Sequence, residues 1–252
     1  MKLLLGILSF TYKLYVGCVF VVTLLFFYPF LWMTLSRKGW RKYSFPINVM
    51  WSYAVRILTF VHVWKMNKIT IPKGPYLIIA NHTSFFDIFL MYSLLPNHRF
   101  LFLGKAEILS YPLIKTFFKR LNIPVYRTDR LKAAKSIIDA QHAVQAGWSI
   151  VLFPEGGYQD ENLPQLMAFK AGAFKLAKRE KVPIVALTFL DNYHIFSDPF
   201  LFLGPAHPGI SRVVFHPVIT VEMIEQLSEN ELKEMCYELI ASPLREHGLM
   251  HS

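Results

Sequence analysis

The chain has 252 residues, of which 54% are hydrophobic and 17% are charged, and its mean hydropathy is +0.34. Its formal net charge is +10, and residues 1–128 contain only two carboxylate side chains, Asp87 and Glu107. This composition excludes an ordinary acidic soluble protein. A basic and apolar front half favours membrane lipid as the partner and argues against nucleic acid, because nucleic-acid-binding domains are usually polar outside their cores.

The first predicted element is a membrane helix. Residues 14–35 contain no charged side chain, and at ~1.5 Å per residue a helix of this length would cross roughly 30 Å of hydrocarbon. Four basic residues lie between positions 37 and 42. The positive-inside rule therefore predicts that this end, and any functional site in the chain after it, faces the cytoplasm.

A second apolar segment covers residues 45–64 and carries Arg56 near its middle. A charge at that position favours an amphipathic helix lying in the membrane interface, with an ordinary core helix as the alternative. We therefore predict that residues 1–64 anchor the chain to a membrane and that residues 65–252 form an α/β domain.

The remaining pattern alternates short apolar strands with amphipathic helices. Strands are predicted at 76–80, 100–103, 149–153, 183–190 and 212–221, and helices at 85–95, 131–146, 166–178 and 230–240. This alternation predicts the α/β class, with a mostly parallel sheet flanked by helices and preceded by a membrane-associated pair of helices.

One polar motif follows the first strand of this domain, in the sequence Asn-His-Thr-Ser-Phe-Phe-Asp at residues 81–87. On a continuous helix His82 and Asp87 would point about 140° apart. They can meet only if His82 precedes the helix and Asp87 lies in its first turn, with Thr83 or Ser84 as the N-cap. Asp87 would then fix the histidine tautomer, and the second ring nitrogen would accept a proton from a substrate hydroxyl. A capping aspartate beside an unrelated histidine is the alternative.

A second motif, Phe-Pro-Glu-Gly-Gly at residues 153–157, also follows a strand. Its glycines would let backbone amides approach a ligand closely, and Glu155 could bind hydroxyls. The alternative is a simple turn with an exposed glutamate.

A third, basic element consists of Lys105, Arg127 and Arg130. Arg130 could bind a phosphate with two hydrogen bonds. The alternative is that these are solvated surface charges.

Together these motifs resemble the glycerolipid acyltransferases of the lysophosphatidic acid acyltransferase type. The resemblance covers about residues 70–220, and the motifs occur in the family's order. They are the His-Asp motif at 81–87, the basic motif at 126–130, the glycine-rich motif at 153–157 and the proline-bearing strand at 182–187. The run at 169–174 also matches.

The resemblance implies that His82 is the general base and that Asp87 orients it. It implies that Arg130, Glu155 and Gly156 bind a glycerol phosphate. It also implies an acyl-coenzyme A or acyl-carrier-protein donor, with neither a metal nor another cofactor. The candidate substrate-binding residues are Asn81, Lys105, Arg130, Glu155, Gly156, Gly157, Lys170 and Pro183, the last of these through a strand that shapes the acyl or donor site.

One departure from the family leaves the acceptor open. The family's third motif usually continues with threonine and then arginine or a similar polar residue, whereas Gly157 and Tyr158 stand here. Lys170 or Lys105 could supply the missing charge. We predict acyl transfer to 1-acylglycerol 3-phosphate, giving phosphatidic acid for phospholipid synthesis.

Three other functions stay open. They are the same chemistry on another lysolipid or an amino-acid lipid, a non-catalytic lipid-binding module, and a metal hydrolase using His82, Asp87 and Glu155. The last lacks a second histidine at metal-ligand spacing.

Overall fold

The computed structural model describes residues 2–126, 129–157 and 165–250. Its helices are α1 (Lys2–Leu35), α2 (Arg41–Leu58), α3 (Phe86–Leu94), α4 (Pro112–Leu121), α5 (Arg130–Gln145), α6 (Gly172–Glu180), α7 (Asn192–Ile195), α8 (Val221–Gln226) and α9 (Glu229–Glu246). Its strands are β1 (Val61–Lys65), β2 (Leu77–Ala80), β3 (Phe100–Lys105), β4 (Ile123–Val125), β5 (Ser149–Leu152), β6 (Ile184–Phe189) and β7 (Gly209–Phe215).

The N-terminal helices pack side by side with opposite chain directions. The Tyr12 hydroxyl donates to the carbonyl of Thr59 at 2.6 Å, and the Trp51 indole donates to the Thr23 hydroxyl at 3.0 Å. Within the described residues, α1 is the one helix long and apolar enough to cross a membrane, with its apolar stretch running from Leu3 to Leu35. The outer side chains of α1 are exposed, so the pair presents a broad apolar surface.

The second predicted helix is too long by six residues. Helix α2 ends at Leu58, and Phe60 has a positive φ of 56°, which a continuing α-helix does not allow. The next residues alternate valine with larger side chains and form β1, which pairs in parallel with β7. The sheet therefore begins before residue 64, inside the segment that we predicted to contain only anchoring helices.

The seven strands form one sheet in the order β1-β7-β6-β2-β5-β3-β4. The strands from β6 to β4 in this order are parallel to one another, whereas β7 is antiparallel to β6. The predicted α/β class with a mostly parallel sheet is confirmed. Strand β7 ends at Phe215, six residues short of its predicted end.

Helices cover both faces of the sheet. Since successive side chains of a strand point to opposite faces, each central strand packs against helices on both sides. On β2, Ile78 and Ala80 pack in the cluster that includes α1, α2 and α3, whereas Leu77 and Ile79 pack in the cluster that includes α5, α6, α8 and α9. All four side chains are fully buried. This explains why the strand is a continuous apolar run instead of an alternating one.

The predicted helix at 166–178 starts six residues late, at Gly172. Two backbone N–H groups of the preceding segment bond elsewhere. The Met167 N–H donates to the Glu155 carboxylate, and the Lys170 N–H donates to the Pro154 carbonyl. These long-range bonds hold the segment against the loop after β5, next to the polar motifs at the carboxyl edge of the sheet.

Candidate active site

The Asn81 side chain joins the carboxyl ends of two neighbouring strands. Its amide donates to the Phe189 carbonyl and accepts from the Phe189 N–H, both at 2.8 Å, so the end of β2 is tied to the end of β6. The side chain is buried. These bonds use the amide oxygen and one amide hydrogen, which assigns Asn81 to the scaffold instead of to the predicted substrate contact.

His82 and Asp87 meet as their spacing requires. His82 lies just before α3, Asp87 lies in the first turn, and His82 Nδ1 is 2.8 Å from Asp87 Oδ2. The carboxylate can only accept, so Nδ1 carries the proton and Nε2 is the basic nitrogen of the neutral ring. Asp87 is fully buried, whereas the His82 side chain keeps 13% of its surface exposed. The pair is therefore one buried carboxylate and one reachable imidazole.

Backbone groups complete the Asp87 carboxylate, since the N–H groups of Thr83 and Ser84 both donate to Oδ2 at 2.9 Å. The N-cap position itself is Phe85, not Thr83 or Ser84 as predicted. The Ser84 hydroxyl instead accepts from the Phe86 N–H at 3.1 Å. The turn between His82 and α3 is thus folded around Asp87.

The glycine-rich motif reaches the same point from β5. The Phe153 ring stacks on the His82 imidazole, with ring centres 4.0 Å apart and planes inclined by 14°. This contact fixes the plane of the imidazole from one side while Asp87 fixes its rotation. The two polar motifs of the sequence therefore build one site at the carboxyl edge, where open α/β sheets bind their ligands.

Glu155 is buried instead of facing a ligand. It is 1% exposed and accepts hydrogen bonds from the backbone N–H of His82 at 2.8 Å and of Met167 at 2.9 Å. Burial raises the pKa of Glu155 to about 7, although both backbone bonds act to lower it and the nearby Asp87 charge acts to raise it. Glu155 therefore positions the backbone of the histidine, a role that the sequence prediction of a hydroxyl ligand missed.

Both glycines of this motif have positive φ angles, +79° at Gly156 and +128° at Gly157. The Lys170 side chain lies across Gly156, because a Cβ placed there would be 2.8 Å from Lys170 Nζ. Lys170 is exposed, and no other residue described in the structure forms a hydrogen bond or ion pair with its amine. The structure thus brings Lys170 to the glycine turn.

The other predicted residues are more dispersed. Lys105 ends β3 at the same edge of the sheet and is exposed. Arg130 begins α5, but its side chain lies outside the described part of the chain, as do Arg127 and Tyr158. The Pro183 carbonyl accepts from the Leu77 N–H at the start of β2, so Pro183 lies at the opposite edge of the sheet. The structure does not bring Pro183 to the histidine.

A third strand end contributes residues that the sequence prediction did not include. The Asn192 amide, at the start of α7 after β6, donates to Asp87 Oδ1 at 2.6 Å. The Ser211 hydroxyl on β7 donates in turn to the Asn192 oxygen at 2.5 Å, and both residues are fully buried. The available signal was a polar residue just beyond a third buried strand, at the edge where His82 lies.

An apolar cavity of about 400 Å³ adjoins the site. It lies among α1, α2, α3 and α4, and Phe85 and Phe86 at the start of α3 belong to its wall. Most of its other lining side chains are aromatic or aliphatic, among them Val16, Phe20, Trp51, Phe89, Phe117 and Phe118. Across residues 2–126, 129–157 and 165–250, no group of three or more His, Cys, Asp or Glu side chains is placed to hold a metal ion.

The sequence model of the acyltransferase family matches residues 61–190, more than half of the chain. The chain belongs to the acyltransferase family. The resemblance predicted from the four motifs is thereby confirmed.

Two curated relatives of this acyltransferase are 1-acyl-sn-glycerol-3-phosphate acyltransferases. The one from Brassica napus chloroplasts is 27% identical over 204 residues, which cover 80% of this chain and 57% of the plant protein. The one from Saccharomyces cerevisiae is 25% identical over 203 residues, or 78% of this chain and 64% of the yeast protein. The matched stretch thus spans less than two thirds of each relative.

The fold has a solved counterpart. The crystal structure of a 1-acyl-sn-glycerophosphate acyltransferase from Thermotoga maritima matches all of this chain and is itself fully covered, with a TM-score of 0.78 and 21% identity. The architecture of the sheet, with its N-terminal helices, is therefore shared with that protein.

The position of Glu155 makes the stability of the acyltransferase depend on pH. Its folded pKa of about 7 lies above the ordinary value of 4.5, so the folded protein holds this proton more tightly than the unfolded chain. The contribution of Glu155 to the free energy of unfolding should therefore fall as pH rises from about 4.5 to 7, by about 3 kcal/mol in total, and stay level above that.

Urea unfolding in detergent at a series of pH values, with Glu155→Gln as the comparison, would measure this effect. The variant loses one acceptor at every pH and should lack the Glu155 part of the slope. Parallel pH profiles for the two proteins would contradict the buried-carboxyl interpretation.

Proposed function

We propose that this acyltransferase moves a fatty acyl chain from a thioester donor to the free hydroxyl of 1-acylglycerol 3-phosphate, forming phosphatidic acid. The donor is acyl-coenzyme A or an acyl-carrier protein. The observation that carries the proposal is the His82–Asp87 hydrogen bond of 2.8 Å beside an apolar cavity. The Brassica and yeast relatives are 1-acyl-sn-glycerol-3-phosphate acyltransferases, which supports the choice of acceptor.

The reaction needs a base and no protein nucleophile. His82 Nε2 takes the proton of the acceptor hydroxyl as its oxygen attacks the thioester carbonyl. The tetrahedral intermediate then collapses, the carbon–sulfur bond breaks, and the imidazolium returns the proton to the leaving thiolate. One carbon–oxygen bond replaces one carbon–sulfur bond, and the histidine is regenerated.

Asp87 supports both halves of this cycle. Its carboxylate holds the Nδ1 proton, so the basic Nε2 points away from Asp87 and toward the substrate side. When the ring becomes an imidazolium, the buried negative charge of Asp87 lies 2.8 Å away and stabilises it. The backbone bonds from Thr83 and Ser84 keep this carboxylate in place through the charge change.

The apolar cavity suits a fatty acyl chain. Its walls meet the site at Phe85 and Phe86, so a chain lying in the cavity would place its carboxyl end near His82. Burial of each methylene contributes about 0.8 kcal/mol of binding free energy. Such binding, away from the reacting atoms, can orient the thioester for attack.

Lys170 is the described cation best placed to bind the acceptor phosphate. Its side chain crosses Gly156, one residue from Glu155, whose carboxylate bonds the His82 backbone. The half-buried backbone of Gly156 lies close to this amine, and the lysine charge beside a glycine backbone suits an anionic headgroup. We retain Arg130 and Lys105 as further candidates for the same headgroup.

A different acceptor is the second candidate, and one observation favours it. Gly157 has φ +128°, a conformation that threonine does not readily adopt. The backbone conformation at residue 157 therefore disfavours the family's threonine. The turn differs from the family's pattern in backbone geometry as well as in the missing hydroxyl. Another lysolipid or an amino-acid lipid would use the same His82 chemistry with a different headgroup.

We also propose that α1 and α2 anchor the protein at a membrane with the site on its cytoplasmic side. The exposed apolar surface of α1 supports the anchoring. The orientation is supported by Arg37 in the turn between the helices and by Arg41 and Lys42 at the start of α2. Both lipid substrates would then reach the cavity by lateral diffusion.

The acceptor and the base can be tested in one assay. Purified protein in detergent is given labelled acyl-coenzyme A or acyl-carrier protein with 1-acylglycerol 3-phosphate, glycerol 3-phosphate or other lysolipids. We expect transfer to 1-acylglycerol 3-phosphate, and a fall of about 10²-fold or more in kcat with His82→Ala, since a positioned base typically contributes that much.

His142→Ala, which removes an exposed histidine on α5, is the matched control and should keep full activity. Transfer only to another acceptor would show that the substrate is that acceptor and would leave the proposed role of His82 unchanged. Activity that survives the loss of His82 would remove the histidine from the role of base.

Lys170→Ala should raise KM for a phosphorylated acceptor about tenfold and leave kcat nearly unchanged, because it removes a charge-assisted contact worth about 1.5 kcal/mol. Initial rates against acceptor concentration measure the change. Lys175→Ala, an exposed lysine on α6, is the control and should not alter KM. An unchanged KM in Lys170→Ala would exclude Lys170 from the phosphate site.

Asn192→Ala should lower kcat by about tenfold with little change in KM, because the Asp87 carboxylate loses the donor that fixes its second oxygen. Asn67→Ala is the control for lost stability, since Asn67 bonds the Phe215 backbone four residues along β7 from Ser211. Equal falls in kcat for the two variants at matched folded fraction would show that Asn192 acts on stability alone.

A further inference from the structure

A loop on the same side of the molecule as α1 exposes consecutive apolar side chains. Residues 199–206 read Pro-Phe-Leu-Phe-Leu-Gly-Pro-Ala and contain no charge. Phe200 is 71% exposed and Phe202 is 62% exposed. The two neighbouring leucines, Leu201 and Leu203, are also exposed. We call residues 199–204 the apolar loop. A solvated loop would normally carry polar side chains at such positions.

The apolar loop is closed and compact. Its base is an antiparallel bridge between Phe196 and Ala206, strengthened by the Ser197 N–H, which donates to the Pro205 carbonyl at 2.9 Å. Within it, the Gly204 N–H donates to the Leu201 carbonyl at 2.8 Å. The exposure of its side chains is therefore a feature of a defined structure.

Lys13 of α1 holds the apolar loop in place. Its buried ammonium group donates to the Ser197 hydroxyl and the Asp198 carbonyl at 2.9 Å, and to the Leu201 carbonyl at 2.6 Å. Three acceptors satisfy the three hydrogens of an ammonium group. A lysine inside an otherwise apolar helix is explained by this contact, since the loop carbonyls replace the water that the charge would lose.

Apolar contacts continue the attachment toward the N-terminus of α1. Phe202 packs edge-on against Phe10 with ring centres 6.0 Å apart, and Leu203 lies against Gly6, where a Cβ would be 3.2 Å from Leu203 Cδ2. The exposed surface of the loop is therefore continuous with the exposed apolar surface of α1. On its inner side, Pro199 and Phe200 belong to the wall of the apolar cavity, together with Lys13 and Val16.

We propose that the apolar loop inserts into the lipid bilayer beside α1 and forms one lip of the opening through which lipid chains enter the cavity. The partner is the hydrocarbon of the membrane, because the loop is uncharged, continues the surface of α1 and borders an apolar cavity. The proposal rests on the membrane attachment of α1 given above. Lys13 is the anchor that keeps the lip beside the helix.

A fluorescent probe at the loop tests the insertion. Phe202→Cys is prepared in a Cys18→Ala background, where Cys236 is buried, and is labelled with the environment-sensitive dye NBD. Val22→Cys on the exposed side of α1 is the lipid control, and Glu225→Cys on α8, behind the opposite face of the sheet, is the aqueous control. The full-length protein is reconstituted in phosphatidylcholine vesicles with and without brominated acyl chains.

We expect the residue 202 probe to lose emission in brominated vesicles as the residue 22 probe does, and to resist quenching by aqueous iodide. The residue 225 probe should show the reverse. Iodide quenching at residue 202 without bromolipid quenching would place the loop in water and overturn the proposal. Protection from both quenchers would mean that a protein surface, such as a second copy of the chain, covers it, and would also overturn it.

If the residue 22 probe were likewise unquenched by bromolipid, the membrane attachment of α1 itself would fail, and the loop proposal with it.

A second measurement separates insertion from catalysis. Phe202→Ser with Leu203→Ser, two exposed loop side chains outside the cavity wall, should raise KM for acceptor presented in vesicles and leave transfer to a short-chain, water-soluble acceptor unchanged. Leu131→Ser, which removes an exposed leucine on α5, is the matched control. An equal loss on both acceptors would overturn the role of the lip.

Discussion

The buried carboxylate of Asp87 is the constraint on which the site depends. Without partners, a fully buried charge would cost several kcal/mol of stability. Four donors satisfy it, from the His82 ring, two backbone N–H groups of the following turn and the Asn192 amide. These donors come from two strand ends, and Ser211 on a third strand fixes the last of them. The imidazole is therefore held in a single orientation, and this requires that the ends of these strands are assembled.

Other buried polar side chains at this edge serve the same end. Asn81 ties β2 to β6 through both backbone groups of Phe189, and Glu155 ties the loop after β5 to the His82 backbone. Parallel strands end with unpaired backbone groups, and these side chains satisfy several of them without water. The residue types that suggest substrate binding in the sequence motifs, an asparagine and a glutamate, here hold the backbone in place. A motif alone therefore cannot distinguish a substrate-binding side chain from a structural one.

Local pattern was sufficient for the core strands and the His82–Asp87 pair. The runs at β2 and β5 are continuous and apolar because both faces of the sheet are covered, and the five-residue spacing permits one geometry. Elements defined by distant partners were not predictable. Strand β1 follows α2 closely and is specified by pairing with β7, and Met167 leaves its predicted helix because Glu155 binds its N–H. Asn192 and the burial of Glu155 likewise depend on contacts across the sheet.

Helix α3 connects the polar site to the apolar cavity. Its first turn carries Asp87 toward the sheet edge, while Phe86, Ile88 and Phe89 belong to the wall of the cavity. One rigid element therefore fixes both the orientation of the histidine and one wall of the apolar cavity. The base of the apolar loop joins the same turn, since the Ser84 hydroxyl donates to the Phe196 carbonyl at 2.6 Å. Because Ser84 also donates its N–H to Asp87, a displacement of the apolar loop would reach the carboxylate through one residue. Direct bonds therefore couple the exposed apolar loop to the site.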